Sequence, residues 1–378
     1  MLKEVKIELT NLCSRNCMHC SSSATNCLTN IQTLNYDVVV EIIIQAKEMG
    51  VSNIVFTGGE PTLYNDLDKL ISLTTSLGIK TTIYTFAHRT NENFEMYQQL
   101  ISSGLNKIVY SLADTLSNEI DISTYSTYDF FDRLLKNTNT KLGFHYAISK
   151  DSIFNFEDKI NSSLTKFKEK NYFDKISLLR FVPHGKGTDD MDLDKEEYIL
   201  LKNFFEQLQD KSKIRLGSPW NILGIDNSRC IIADEVMIIG FDGIAYPCDS
   251  IKYFKDLGIS GNVKENTLEE MYNSEYFNNI RNLRVNENCN NCINYSICKS
   301  GCIGQKIVAN YYKDIDYAKV LKYCNNQKDP KCLWWYDEKK TRSLWFILVF
   351  CLWKTKHIYQ KEKRRTSTMD WWFNFTRL

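Results

Sequence analysis

Cys13, Cys17 and Cys20 stand as Cys-x3-Cys-x2-Cys directly after a strand-like run, Val5 to Thr10. Three thiolates this close can hold three irons of a cubane 4Fe–4S cluster and leave the fourth iron without a protein ligand. Such clusters ordinarily take four cysteines, so a set of three implies an iron that binds something else. Cysteine triplets also bind zinc, so the triplet alone leaves both metals open. A second set is C-terminal. Cys289, Cys292, Cys298 and Cys302 form Cys-x2-Cys-x5-Cys-x3-Cys, preceded by Cys230 and Cys248 and followed by Cys324. A zinc ribbon would also suit the paired Cys-x2-Cys.

A third motif closes a short β-rich run from Asn53: Thr57, Gly58, Gly59, Glu60 and Pro61. Glycines at a strand end let the backbone approach a ligand, because no Cβ intervenes. The glutamate can accept a charge-assisted hydrogen bond from an ammonium group. Alone, these five residues also read as a strand-to-loop turn.

Together the cysteine triplet and the Gly-Gly-Glu-Pro run resemble the signature of the radical S-adenosylmethionine (radical SAM) enzymes. That resemblance implies that Cys13, Cys17 and Cys20 ligate a 4Fe–4S cluster whose open iron chelates SAM, and that Thr57–Pro61 hold the methionyl amine. The reduced cluster would then cleave SAM to a 5′-deoxyadenosyl radical that removes hydrogen from an unactivated carbon. Two further SAM contacts are expected. Ser111 lies in Tyr-Ser-Leu-Ala-Asp, where Ala113 interrupts the Ser-Leu-Asp run of similar enzymes. Arg180 could pair with the SAM carboxylate. Ordinary polar positions at a barrel mouth are the competing reading of both.

The seven C-terminal cysteines look like the SPASM extension of that family, which implies two auxiliary 4Fe–4S clusters and three clusters in all. In interleaved ligation Cys230, Cys248 and Cys302 would hold the inner cluster, and Cys289, Cys292, Cys298 and Cys324 the outer. Cys332 is the alternative to Cys324. No cysteine lies between Cys230 and Cys248 to complete the inner set. Either an iron stays open there, a site for a substrate thiolate, or an oxygen ligand such as Asp234, Glu235 or Asp242 fills it.

The elements that must position these residues alternate. Strands read at Val5–Thr10, Asn53–Thr57, Lys80–Tyr84, Lys107–Ser111, Lys141–Ala147 and Lys175–Phe181, with helix-like stretches between them. One such stretch, Asp37–Met49, puts Val39, Ile42, Ile43 and Ala46 on one face, with Asp37 as N-cap and Gly50 as stop. Six units predict an α/β fold with a parallel sheet. In the family resembled this is a partial (β/α)6 TIM-type barrel followed by a SPASM domain, and the site lies at the C-terminal strand ends. A helix over Asp194–Asp210 links the barrel to the second domain, Val236–Ile239 and Ala245–Pro247 form a hairpin, and Thr267–Arg281 reads as a helix. Domains are expected at 1–211 (barrel), 212–330 (SPASM) and 331–378 (tail).

The chain has 378 residues, 43% hydrophobic and 25% charged, with net charge +1, so no global field favours nucleic acid. Thirteen cysteines without a signal peptide point to a reducing cytoplasm rather than to disulfides. The tail carries ten apolar residues, Leu344–Trp353, too few to span a bilayer of roughly 30 Å, and then a basic run. A helix packed on the body is favoured over membrane contact.

SPASM-bearing enzymes mostly modify peptides or proteins. The resemblance therefore implies a maturase that forms a thioether or carbon–carbon crosslink in a ribosomally made precursor peptide, served by a flavodoxin- or ferredoxin-type reductant. With the first strand starting by Val5, leader recognition is expected from the SPASM region, the tail or a separate leader-binding protein. The rival readings are an anaerobic sulfatase maturase making formylglycine, a small-molecule biosynthetic enzyme, and a non-catalytic iron–sulfur electron carrier. Ser21-Ser22-Ser23 after the triplet argues against the first, since those enzymes usually have an aromatic residue there. Gly58-Gly59-Glu60 argues against the carrier, which needs no SAM pocket.

Overall fold

Alternation of strand and helix begins at β1 (Glu4–Thr10) and α1 (Tyr36–Glu48), and continues through β2 (Asn53–Gly58), α2 (Leu67–Ser76), β3 (Lys80–Thr85) and α3 (Phe94–Ser102). Then come β4 (Lys107–Ser111), α4 (Ile120–Leu135), β5 (Lys141–Ile148), α5 (Phe156–Phe167), β6 (Phe173–Arg180) and α6 (Lys195–Gln207). The computed structural model describes residues 1–15, 17–86, 93–112, 120–208, 210–225, 228, 230–252, 260–283, 294–299, 301–311 and 332, with backbone alone for 120–127 and 309–311.

All six expected strands form. They pair in parallel in chain order, and a short β7 (Ile214–Arg215) follows β6 at one edge. The sheet does not close into a full barrel. On the other side of β1 lies β8 (Val236–Ile239), parallel to it with Glu4 beside Val236 and Ile7 beside Ile239. β9 (Ala245–Tyr246) completes the expected hairpin antiparallel to β8. The cysteine-rich C-terminal part thus extends the sheet through β1.

Local chemistry explains the element ends. Asn35, not Asp37, caps α1: its Oδ1 accepts from Asp37 N at 2.9 Å, while Val39, Ile42, Ile43 and Ala46 are buried as expected. Asp194 caps α6 in a reciprocal box with Glu197. The single helix expected over Thr267–Arg281 is two, α7 (Leu268–Tyr272) and α8 (Glu275–Asn282), because Ser274 starts a new helix by accepting from Phe277 N. Among the described residues two short helices follow, α9 (Tyr295–Cys298) and α10 (Ile303–Tyr311).

β1 decides which side of the sheet does chemistry. Val5, Ile7 and Leu9 are fully buried on one face, and Lys6, Glu8 and Thr10 alternate onto the other. A parallel strand covered on both faces is ordinarily apolar throughout. Charges here mark the interior as a polar cavity wall. No helix among the described residues is long and apolar enough to cross a membrane, and Leu344–Trp353 lies outside them.

Candidate functional site

The first cysteine loop is laced to the end of β2 by backbone hydrogen bonds. Gly59 N donates to Thr10 O at 2.6 Å and Glu60 N to Leu12 O at 2.8 Å, one residue before Cys13. A Cβ on Gly58 would overlap the Thr10 carbonyl, and one on Gly59 the Leu12 carbonyl; Gly58 also has φ +125°. What these glycines approach so closely is the cysteine loop itself. The other side of the loop is held from the exit of β6, where Lys186 N donates to Cys20 O at 3.1 Å and Lys186 Nζ to Ala24 O. Cys13 is buried with Ala24 and Phe86, and Cys20 packs against them. The Arg15 guanidinium lies 4.6 Å over the Phe86 ring.

Burial pushes the Cys13 thiol up to about 11, with Glu60, Cys20 and Cys17 adding to it. The Cys17 thiol is raised as well, mainly by burial. None of the three is in a disulfide, and Cys13 and Cys17 both feel the charge of Cys20. Among the described residues no three ligand side chains converge on a single metal ion. The soft donor set fits a 4Fe–4S cluster, and loading it would release protons.

Glu60 is fully buried and already held by the chain. Its Oε1 accepts from Thr62 N at 3.1 Å, Thr62 Oγ1 at 2.7 Å and Thr85 Oγ1 at 2.8 Å, and its Oε2 from Phe86 N at 3.1 Å. Burial raises its pKa while these donors oppose the rise. The carboxylate therefore clamps the ends of β2 and β3 together, beyond the ligand contact expected of it. Pro61 is buried and opens the 3-10 turn that follows. Thr57 sits beside Glu8 on the interior face, and Ser111 beside His145.

Arg180 requires a correction. It is in register with Ile148, whereas the interior face is that of Ser111, His145, Ser177 and Leu179. It therefore projects from the opposite, helix-covered face. Its Nε donates to Tyr198 Oη at 2.9 Å and its Nη1 to Pro219 O at 3.2 Å. It locks α6 to β6 and is turned away from the cavity where SAM was expected.

The interior holds residues that motif reading missed. Lys6 Nζ lies 3.4 Å from Asp249 Oδ2 and 5.6 Å above the Tyr84 ring, and Tyr84 meets His145 edge-on at 4.6 Å. Burial opposes the Lys6 charge, but Asp249, Tyr84 and Glu4 hold its pKa above the ordinary lysine value. Burial pushes the His145 imidazole down to about 3, helped by Lys6, Lys107 and Arg215, so it is neutral. Leu179 is 41% exposed on this face. The alternation Glu-Val-Lys-Ile-Glu-Leu-Thr in β1 was the one sequence signal for this wall.

Beside that wall is the second thiol group. Cys248 precedes a 3-10 turn, Asp249–Ile251, and Cys302 directly precedes α10. Burial pushes the Cys248 thiol up to about 12, and the charges of Asp249, Cys302 and Cys230 add to it, so Cys302 and Cys230 each lie within electrostatic range of Cys248. Cys298 is buried at the end of α9, and Cys332 is half-buried. Cys289, Cys292 and Cys324 lie outside the described residues. The oxygen ligands considered for the inner set are engaged elsewhere. Asp234 lies 3.9 Å from the Met1 amine, and Glu235 pairs with Lys3 at 3.0 Å. Asp242 accepts from Ile244 N at 3.1 Å and Tyr246 Oη at 2.7 Å.

Residues 7–143 match the radical SAM superfamily, and residues 230–293 match the SPASM iron–sulfur cluster-binding domain. The AdoMet-dependent heme synthase of Methanosarcina barkeri is 22% identical over 344 residues, 84% of this chain and 94% of that protein. The cysteine-type anaerobic sulfatase-maturating enzyme of Clostridium perfringens is 23% identical over 324 residues, 77% of this chain and 85% of its own. Streptococcus suis SuiB bound to its precursor peptide SuiA superposes with a TM-score of 0.65 at 20% identity, covering 88% of this chain and 76% of SuiB. Native anSMEcpe with bound AdoMet gives 0.60 at 19% identity, covering 86% and 96%. These superpositions establish a shared fold.

Proposed function

We propose, on the premise that this chain is a radical SAM enzyme with a SPASM iron–sulfur domain, that it matures a ribosomally made peptide by forming a thioether or carbon–carbon crosslink. In this reading the barrel spans 1–211, the SPASM domain 212–330 and a tail 331–378. Cys13, Cys17 and Cys20 would hold the SAM-binding cluster, with Thr57–Pro61 and Ser111 around SAM. Cys230, Cys248 and Cys302 would hold the inner auxiliary cluster, and Cys289, Cys292, Cys298 and Cys324 the outer. Bound SAM and its cluster supply a 5′-deoxyadenosyl radical as hydrogen-atom acceptor.

The observation that carries this reading is the contact of Lys6 with Asp249, which brings the turn after Cys248 against the cavity wall. Forming a crosslink removes two hydrogens from the peptide. One leaves as an atom to the radical, and the other as a proton and an electron. An electron acceptor beside the cavity meets that requirement, which a redox-neutral rearrangement does not have. Tyr84, neutral His145, Ser111 and exposed Leu179 would bind and orient the side chain attacked. The shared fold with SuiB, solved with a precursor peptide, supports a peptide as the substrate. A flavodoxin- or ferredoxin-type reductant and a reducing cytoplasm complete the reading.

The test is mass spectrometry of the peptide encoded beside this gene, incubated anaerobically with enzyme, SAM and reductant. Loss of two hydrogens with a linkage resistant to thiol alkylation is expected. Formylglycine at a Cys or Ser would establish the sulfatase-maturase reading instead. An unmodified peptide with continued SAM cleavage would favour a small-molecule substrate.

A further inference from the structure

The inner cysteine set lacks a fourth ligand, and the loop leaving β6 carries a side chain suited to it. His184 is mostly buried there, and its Nδ1 lies 2.6 Å from Val182 O. A carbonyl only accepts, so Nδ1 carries the proton and donates. The tautomer is thereby fixed, with the free lone pair on Nε2. That Nε2 is buried and has no hydrogen-bond partner among the described residues. An imidazole anchored by a backbone carbonyl through one nitrogen, with the other nitrogen free, is arranged as metal-bound histidines are. A buried acceptor left empty is costly unless an ion or a donor fills it.

Its loop lies between the two cysteine groups. The charges of Asp249 and Lys252, one and four residues after Cys248, both reach the ring. Three residues before it, Phe181 O accepts from Gln305 Nε2 at 2.7 Å, and Gln305 lies three residues past Cys302. Two residues after it, Lys186 N holds the Cys20 carbonyl. One loop is thus bonded both to the first cysteine loop and to the helix that follows Cys302. Asp234, Glu235 and Asp242, the oxygen alternatives, are bound elsewhere.

We infer that His184 Nε2 is the fourth ligand of the inner auxiliary cluster, completing Cys230, Cys248 and Cys302 with a residue of the barrel. The inference rests on the three-cluster reading above. It makes that cluster a Cys3His centre, and replacing thiolate by neutral imidazole raises an iron–sulfur reduction potential. A raised potential suits an acceptor of electrons from the substrate. It also leaves the substrate thiol no vacant iron unless His184 is displaced.

The experiment uses the full chain with Cys13, Cys17 and Cys20 replaced by Ala, reconstituted anaerobically and reduced, so that only the auxiliary clusters contribute. Pulsed electron paramagnetic resonance of protein carrying 14N- or 15N-histidine should show one strongly coupled histidine nitrogen that changes with the isotope. His184→Ala should abolish that coupling while iron stays at about eight per chain. His184→Cys should keep the iron and lower the reduction potential. Iron at about eight with no coupled histidine nitrogen in the labelled parent protein overturns the inference and leaves the three-cluster reading standing. So does a coupling that survives in His184→Ala. Zinc in place of iron, or no cluster, overturns both.

Discussion

Glu8 Oε1 lies 2.6 Å from Lys252 Nζ in an ion pair whose side chains are 1% and 3% exposed, and it also accepts from Ser22 Oγ at 2.7 Å. One oxygen therefore joins three segments: β1, the loop just past Cys20 and the turn just past Cys248. The other, Oε2, is buried without a partner among the described residues. Burying two charges costs more than an exposed pair returns, so this contact is better explained by the geometry it imposes than by stability.

Removing one partner should be far worse than removing both. Lys252→Met leaves the Glu8 carboxylate uncompensated and should destabilise the protein by about 3–5 kcal/mol. Lys252→Met combined with Glu8→Leu should recover most of that loss in denaturation experiments. A double variant as unstable as the single one would show that packing at Lys252, not its charge, matters.

Glu60→Gln should weaken SAM binding by roughly 1.5–3 kcal/mol if the carboxylate meets the methionyl amine. The clamp found here adds a second expectation. All four donors now point at carboxylate oxygens, so an amide NH2 must face a donor. The variant should therefore also unfold at lower denaturant concentration before any SAM is added, with iron content unchanged. Weakened SAM binding at wild-type stability would make Glu60 a ligand contact alone.

His145 should make stability depend on pH. Burial, with Lys6, Lys107 and Arg215, pushes its folded-state pKa down to about 3, against about 6.5 in an unfolded chain. The unfolded chain takes up a proton that the folded one refuses. Its contribution is therefore complete above about pH 6.5 and shrinks as pH falls toward 3. Between pH 7 and pH 5 the wild type should lose about 2 kcal/mol more than His145→Phe. Parallel losses in urea denaturation would show that the ring takes up its proton without cost to the fold.

Much of this was legible from residue order. The six strands and the hairpin are set by short-range alternation and turn chemistry, which leave their mark in sequence. What escaped depended on partners far along the chain. Nothing near Arg180 tells which face of β6 is the cavity; that follows from its register with Ile148 and from Tyr198 on α6. Asn35 displaced Asp37 as the α1 cap, and Ser274 divided a helix, because a side chain satisfying backbone donors outweighs helical periodicity. Lys6 and Glu8 stood in view as charges in a strand, but their partners Asp249 and Lys252 lie more than two hundred residues away. His184 lay in no motif.

The last prediction separates the role of Gly59 from that of Glu60. A Cβ at Gly59 cannot coexist with the Leu12 carbonyl it faces, and the 2.6 Å bond from Gly59 N to Thr10 O leaves no slack. Gly59→Ala must therefore push the loop before Cys13 off the end of β2. Nothing in that contact reaches Cys230, Cys248 or Cys302. The reconstituted parent enzyme should carry about twelve irons per chain, four in each of three clusters. Gly59→Ala should keep about eight and lose SAM cleavage, as should replacement of Cys13, Cys17 and Cys20 by Ala. A Gly59→Ala protein with its full iron complement and weakened SAM binding would return the glycine to the ligand-approach role first read from sequence. A loss of all iron would mean that the displaced loop carries the C-terminal cysteines with it, through Ser22, Glu8 and Lys252.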